Sequence, residues 1–325
     1  MNKPNLFHFA TSELSQDAFI CWLLSWASPE YKTVDTSLHH CATELIKEFF
    51  KKHSITYEGI DEVEIRKQDK NIDVLCIVNK KYIVIIEDKT GTKNHSNQLQ
   101  RYLDEIKGRK YEDENIIPIY FKTEDQSDYW DVLANGYEVF HRSDFLEVLN
   151  SYTGRNSILI DYREQLQSIS DRVDSYLTKC LDDWEWHSWV GFYLKLQKEL
   201  GDGNWDYVSN PNGGFLGYWW HFQGDNECEQ YLQLEQDKFC IKVRVRSPQD
   251  RTNQRKKWHE IIQSKGNELY GDLKFAKPIR FGHGEFMTVC VMDRVYRIVN
   301  HDKVIDIEKT VELLKRTEDL LKSVA

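Results

Sequence analysis

The sequence predicts an α/β protein: a mixed-sheet unit with the order α-α-β-β-β-α-β, followed by a smaller α+β domain. Three observations predict it. Apolar residues repeat at helical spacing through roughly the first fifty residues and then change to strand-like runs. The composition shifts further along, with seven of the ten tryptophans lying between Trp184 and Trp258. A chain of 325 residues is also long enough for about two domains.

A first helix is expected near Ser12 to Trp26, where Phe19, Trp22, Leu23 and Trp26 share a face. A second, about Ser37 to His53, carries Leu45, Ile46, Phe49 and Phe50. The period then becomes that of strands in "GIDEVEIRKQ", "NIDVLCIVN" and "KYIVIIEDKT", with "NKK" as the loop between the last two. A helix over about Asn94 to Lys110 follows, then a buried strand over Asn115 to Thr123, "YEVF", and a helix starting near Ser143. Residues 1–160 thus make one unit and 161–182 a connector, led by a polar helix from about Asp161 to Lys179. Residues 183–325 make the α+β domain. In it we expect a helix in "WHSWVGFYLKLQKEL", strands around Phe215–Gln223, Gln230–Leu234 and Phe239–Arg246, a helix over Asn253–Ser264, two more strands and a closing helix over Ile307–Lys322.

Composition narrows the classes. Forty per cent apolar and 30% charged is ordinary for a soluble globular protein. The longest apolar run in the first helix, "AFICWLLSW", is far short of a membrane span, and the opening residues lack the plan of a signal peptide. Seven scattered cysteines with no C-x-x-C spacing argue against a zinc site or disulfide framework and fit the cytoplasm. With a net charge of −10, any polyanion the molecule handles must meet a local basic patch or a bound metal.

The informative stretch is "KYIVIIEDKTG", Lys81 to Gly91, where an acid, an acid and a base are joined to a buried strand. Buried charges are costly unless paired or bound to metal. Alternation puts Glu87 and Lys89 on one face and Asp88 on the other, facing solvent. If the "NKK" loop has three residues, Asp73 falls opposite Glu87; a two-residue loop puts it opposite Ile86, on the wrong face. In the first case Asp73, Glu87 and Lys89 form one cluster, whose carboxylates repel unless a cation joins them. Hard oxygen ligands select Mg²⁺ or Mn²⁺.

Asp73, followed after thirteen residues by Glu87-Asp88-Lys89, resembles the D…(D/E)-x-K signature of the PD-(D/E)XK nuclease superfamily. Ile72 stands where the strict motif has proline. The element order resembles that superfamily's restriction-endonuclease-like αβββαβ core. "QLQRY", Gln98 to Tyr102, resembles the Q-x-x-x-Y motif of its RecB-like branches, and "FATSELSQDAFICWLLSW" is similar to the N-terminal helix of a bacterial group within it. The resemblance covers about Phe7 to Leu149. It implies that Asp73 and Glu87 hold Mg²⁺ or Mn²⁺, joined by Glu13 with Asp17 behind it. It implies further that Lys89 is catalytic and that Gln98 and Tyr102 face the site. A magnesium-dependent endonuclease acting on DNA, in bacterial defence against foreign DNA, is the implied function. Repair or processing of DNA, an RNase, and a binding or regulatory module without catalysis are the alternatives.

Simpler readings exist for each residue. Glu87 and Lys89 could end a strand in solvent, Asp73 could begin one, and Glu13 and Asp17 suit a helix N-terminus through the macrodipole; for Asp17 capping is the preferred reading. The second domain offers one basic patch: Lys242, Arg244 and Arg246 alternate on a strand, and Arg251, Arg255, Lys256 and Lys257 follow. Phosphate binding is its functional reading and a solvated sheet face its plain one. The partner implied is nucleic acid, DNA ahead of RNA, with no membrane. The histidines, His95 among them, form no metal or nucleophile group.

Overall fold

In the structure, a computed structural model that describes residues 3–94, 97–109, 111–211, 213–269, 271 and 273–324, Ser12 caps the first helix by accepting the Ser15 amide proton at 3.3 Å. That helix, α1, runs Glu13–Ser25 and buries Phe19, Ile20, Leu23 and Leu24. Asp35 caps α2 (Thr36–Lys52) through the amides of Ser37 and Leu38, at 3.0 and 2.9 Å. Three strands follow: β1 (Val63–Asp69), β2 (Ile72–Val78) and β3 (Tyr82–Lys89). Next come α3 (Gln98–Lys107), β4 (Ile116–Lys122), α4 (Trp130–Ala134), β5 (Glu138–His141), α5 (Arg142–Asn150) and α6 (Ser157–Asp174). The helix expected over Asn94–Lys110 is therefore shorter; His95, Ser96 and Lys110 lie outside the described residues.

These strands form a five-stranded mixed sheet in the order β1-β2-β3-β4-β5. The first three are antiparallel, while β4 runs parallel to β3 and β5 parallel to β4. This is a restriction-endonuclease-like arrangement. Strand β3 is buried along its whole length because both sheet faces are covered. On one face Val74, Ile86, Ile117 and Phe121 join the apolar sides of α1, α2, α5 and α6. On the other, Leu75, Ile85 and Tyr120 pack with Leu99, Tyr102 and Ile106 of α3.

The turn between β2 and β3 sets everything that follows. Asn79 and Lys80 both adopt left-handed backbone, φ 55° and 54°, and the Lys81 amide closes the turn on the Val78 carbonyl at 3.1 Å. The strands then pair from Val78↔Tyr82 to Val74↔Ile86. This is the register of a three-residue loop, and its continuation sets Asp73 opposite Glu87.

The chain divides into units 1–171 and 172–325, with the division inside α6. The second unit contains α7 (Trp186–Leu200), β6 (Asn204–Val208), β7 (Phe215–Gly224), β8 (Glu229–Glu235) and β9 (Lys238–Arg244). After these come α8 (Arg251–Leu269), β10 (Phe275–Ala276), β11 (Phe286–Met292) and α9 (Ile307–Ser323). Its six-stranded antiparallel sheet has the order β10-β11-β9-β8-β7-β6. Strand β6 was not expected from the sequence, because Trp205 alone is buried in it and no alternation marks it. Trp189, Trp205, Trp220 and Trp258 belong to the core.

Ile86 is fully buried and paired with Val74 one step before the open end of the β2–β3 hairpin. Ile86→Ala should lower stability by about 2–5 kcal/mol, read by chemical denaturation; an unchanged midpoint would mean that the hairpin is not the packed unit described.

Candidate active site

The parallel strands β3 and β4 end at the sheet edge where β2 begins, and that edge gathers charge. Glu87 is fully buried. Lys89, on the same face, makes a close ion pair with Glu87 Oε1, while Glu87 Oε2 is buried without a donor among the described residues. Burial, with the Asp73 carboxylate beside it, pushes the Glu87 carboxyl up to about 8 against the pull of Lys89. For Lys89 burial lowers the pKa, but Glu87, Asp73 and Glu13 outweigh it and hold the ammonium above its ordinary value.

Asp73 is held from two sides. Its Oδ2 accepts the backbone amide of Asp88 at 2.9 Å, and its Oδ1 accepts Gln68 Nε2 at 3.1 Å. The same Gln68 nitrogen donates to Asp17 Oδ2 at 3.2 Å. Gln68 sits in left-handed backbone, φ 55°, a conformation unfavourable for a residue with a side chain and often found where structure is constrained for function.

Two expectations fail here. Asp88 was expected in solvent, yet it is 1% exposed, because its face of β3 is covered by α1. Its Oδ1 accepts Gln16 Nε2, and Gln16 Oε1 in turn accepts the hydroxyls of Thr123 and Tyr162 at 3.0 and 2.9 Å. Asp17 was expected to cap α1; Ser12 does that, and Asp17 points inward, 1% exposed. Burial raises the carboxyl pKa of both aspartates and the field of Asp73 adds to both; Asp17 raises Asp88 further, whereas the hydrogen bond with Asp88 pulls Asp17 down.

Glu13 stands at the first position of α1 and reaches the end of β3. Its Oε1 accepts Thr90 N at 3.1 Å and the hydroxyls of Thr90 and Thr92 at 3.4 and 2.7 Å. The carboxylate expected as a third metal ligand is thus occupied with the chain beyond Lys89, and no group of three or more His, Cys, Asp or Glu gathers as a metal site among the described residues. Gln98 opens α3 and donates from Nε2 to Tyr102 Oη at 2.8 Å. The Tyr102 hydroxyl pKa is raised by burial and by the charges of Glu87 and Asp73, which places it within their field.

Sequence reasoning missed Lys122. It pairs with Lys89 in the parallel register and is 2% exposed. Its Nζ donates to the carbonyls of Thr90 and Thr92 at 2.7 and 2.6 Å, fixing the segment that Glu13 also grips. Burial pulls this ammonium down to about 8, against the opposing fields of Glu124, Glu13 and Asp125. A charge closing the buried run "IIPIYFK" was the signal for it. Gln68 left no comparable signal.

A metal fits the Asp73–Glu87 pair. Two hard carboxylates meet from adjacent strands, and Glu87 is buried with its Oε2 free of any donor among the described residues. Mg²⁺ commonly takes one or two carboxylates and completes its shell with water and phosphate.

The basic strand of the second unit is mostly not a free surface. Lys242 pairs with Glu235 at 3.4 Å, and Arg244 pairs with Glu285 at 2.7 Å and with Glu229 at 3.9 Å. Arg251 donates to the carbonyls of Val245, His283 and Arg246. Arg255 is buried, bonded to the Gly282 carbonyl and stacked on Phe281. The charge of these four is paired with carboxylates or holds loops in place. Lys256 is exposed, and Arg246 lines a cleft with Arg244 and Glu229.

A family model described as the PD-(D/E)XK nuclease superfamily matches residues 4–184. No curated protein and no solved structure matches the chain. Among the described residues no helix is long and apolar enough to cross a membrane.

The raised Glu87 pKa has a stability consequence. In the metal-free chain the folded state keeps a proton that the unfolded state releases near 4.3, so unfolding free energy should fall as pH rises from about 4.3 towards 8. Asp17 and Asp88 act in the same direction, and Glu87→Gln removes only the share of Glu87. Denaturation in EDTA across that window should show a shallower decline in the variant; equal slopes would refute the desolvated state of Glu87.

Proposed function

The chain belongs to the PD-(D/E)XK nuclease superfamily, and on that premise we propose that Asp73, Glu87 and Lys89 hydrolyse phosphodiester bonds in DNA, with Mg²⁺ or Mn²⁺ bound by the two carboxylates. The observation that carries this reading is the fully buried Glu87 carboxyl beside Asp73, with a Glu87 pKa that stays raised even with Lys89 as its ion-pair partner. Two carboxyls placed together in a buried site are costly to ionise unless a cation joins them. A module without catalysis would have no reason to keep such a pair, which is why the enzymatic reading is preferred.

The bound cation supplies a Lewis acid for a phosphoryl oxygen and lowers the pKa of water. The chain's own residues do the rest. Asp73 is fixed by the Asp88 amide and Gln68, so one carboxylate is preorganised before substrate arrives. Lys89 holds the attacking water and balances negative charge as the water oxygen bonds to phosphorus. The bond to the leaving sugar oxygen breaks, one proton of the water goes to solvent, and the leaving oxygen takes a proton in turn. Tyr102 accepts the Gln98 amide, which leaves its own O–H to donate to a phosphate oxygen. Lys122 and Glu13 keep the Thr90–Thr92 segment in place beside Lys89. Endonucleolytic action on foreign DNA in a bacterial cytoplasm is the setting that the sequence resemblance supports.

The test is cleavage of supercoiled plasmid, linear duplex, single-stranded DNA and RNA, each with Mg²⁺, Mn²⁺, Ca²⁺ or EDTA. Cutting is expected with Mg²⁺ or Mn²⁺ only, and Lys89→Ala should slow it by about two orders of magnitude or more. Asp73→Asn should fail through metal binding and recover in part at high Mn²⁺. Full activity in EDTA, or a wild-type rate for Lys89→Ala, would contradict the mechanism.

A further inference from the structure

Residues 238–280 carry twelve Lys and Arg and four Asp and Glu, a strong local excess in a chain of net −10. Lys242, Arg244, Arg251 and Arg255 of that stretch are engaged as described above. Arg246, Lys256, Lys257 and Lys274 are exposed, and so are Lys238, Lys277 and Arg280, which form no ion pair among the described residues and are set apart by lining one cleft together. Lys277 lies over the Phe281 ring at 4.8 Å, an interaction that leaves its charge available.

The three cations line a single cleft of about 480 Å³, bounded by the beginning of β9, the end of β11 and the segment after β10. Pro278, Ile279 and Met292 give it an apolar part, and the carboxylates Glu235 and Asp293 line it as well. Ile279 is fully exposed, the most exposed of the large apolar side chains, and sits between Lys277 and Arg280 in the sequence Lys-Pro-Ile-Arg. Scattered exposed aliphatic residues are normal. This one is set among cations over a cleft large enough for a small organic ligand. Apolar side chains at such tips are what nucleic-acid-binding proteins lay against or between bases.

We propose that this cleft takes one unpaired nucleotide of a nucleic-acid strand, with its base against Ile279, Pro278 and Met292 and its phosphates against Lys238, Lys277 and Arg280. The choice of nucleic acid rests on the nuclease reading; the place and the unpaired state come from the cleft. Duplex bases stay stacked and cannot enter it, so a single strand is preferred. Asp293, which also lines the cleft, supplies an acceptor for an amino group on the base.

Binding in EDTA tests this separately from cutting. The full chain is titrated against labelled single-stranded DNA, single-stranded RNA and a duplex of the same sequence, with fluorescence anisotropy as the readout and gels to check that the oligonucleotides stay intact. At least one single strand should bind more tightly than the duplex. The double substitution Lys277→Glu, Arg280→Glu should weaken that binding by about tenfold or more and make its salt dependence shallower. Ile279→Ser should weaken it severalfold with the salt dependence unchanged; its side chain touches solvent, so folding is not at stake. A duplex bound at least as tightly as both single strands, or a double variant that binds like the wild type, overturns the proposal. Either result leaves the nuclease reading intact, because that stands on metal-dependent cutting measured by itself.

Discussion

The structure depends on one constraint: a carboxyl group is buried at a sheet edge beside a second carboxylate. Glu87 closes a strand whose apolar residues are buried on both faces, and it lies within the field of Asp73. Its ion pair with Lys89 offsets part of the desolvation but leaves the carboxyl raised. Much of the nearby architecture serves to keep the groups around it in position. The left-handed turn at Asn79 and Lys80 sets the register, α3 covers the face, and Asp73 is fastened by the Asp88 amide.

That fastening gives the site two layers on opposite faces of β3. The front layer, Asp73, Glu87 and Lys89, is where phosphodiester chemistry is proposed. The rear layer is the buried pair Asp17 and Asp88 with Gln16, Tyr162 and Thr123. Gln68 joins them by donating to both Asp17 and Asp73. A change in the rear layer therefore reaches Asp73 through one amide side chain. Lys122 does similar work on the other flank, tying the strand's exit to the helix that carries Glu13.

Much of this was legible in the sequence because it is local. The hairpin's period and a three-residue loop were enough to place Asp73 against Glu87, and the charged end of an apolar run marked the edge. What was not legible depends on elements distant in the chain. Alternation says which side Asp88 takes but not that α1 covers that side. Arg244 looked like a free cation because Glu229 and Glu285 lie far from it in sequence and become its neighbours only through the order of β8, β9 and β11. Lys122 was readable in principle, since it too ends a buried strand, but its importance comes from lying beside Lys89 in a parallel pair.

The central claim is that Asp73 and Glu87 form a cation site, with Lys89 beside it and not part of it. Titration of Mn²⁺ into the full chain, followed by electron paramagnetic resonance of the free ion, measures this without any substrate. The account predicts saturable binding that is lost or strongly weakened in Asp73→Asn and in Glu87→Gln and retained in Lys89→Ala. Binding unchanged by either carboxylate substitution, or no binding to the wild type, would contradict it.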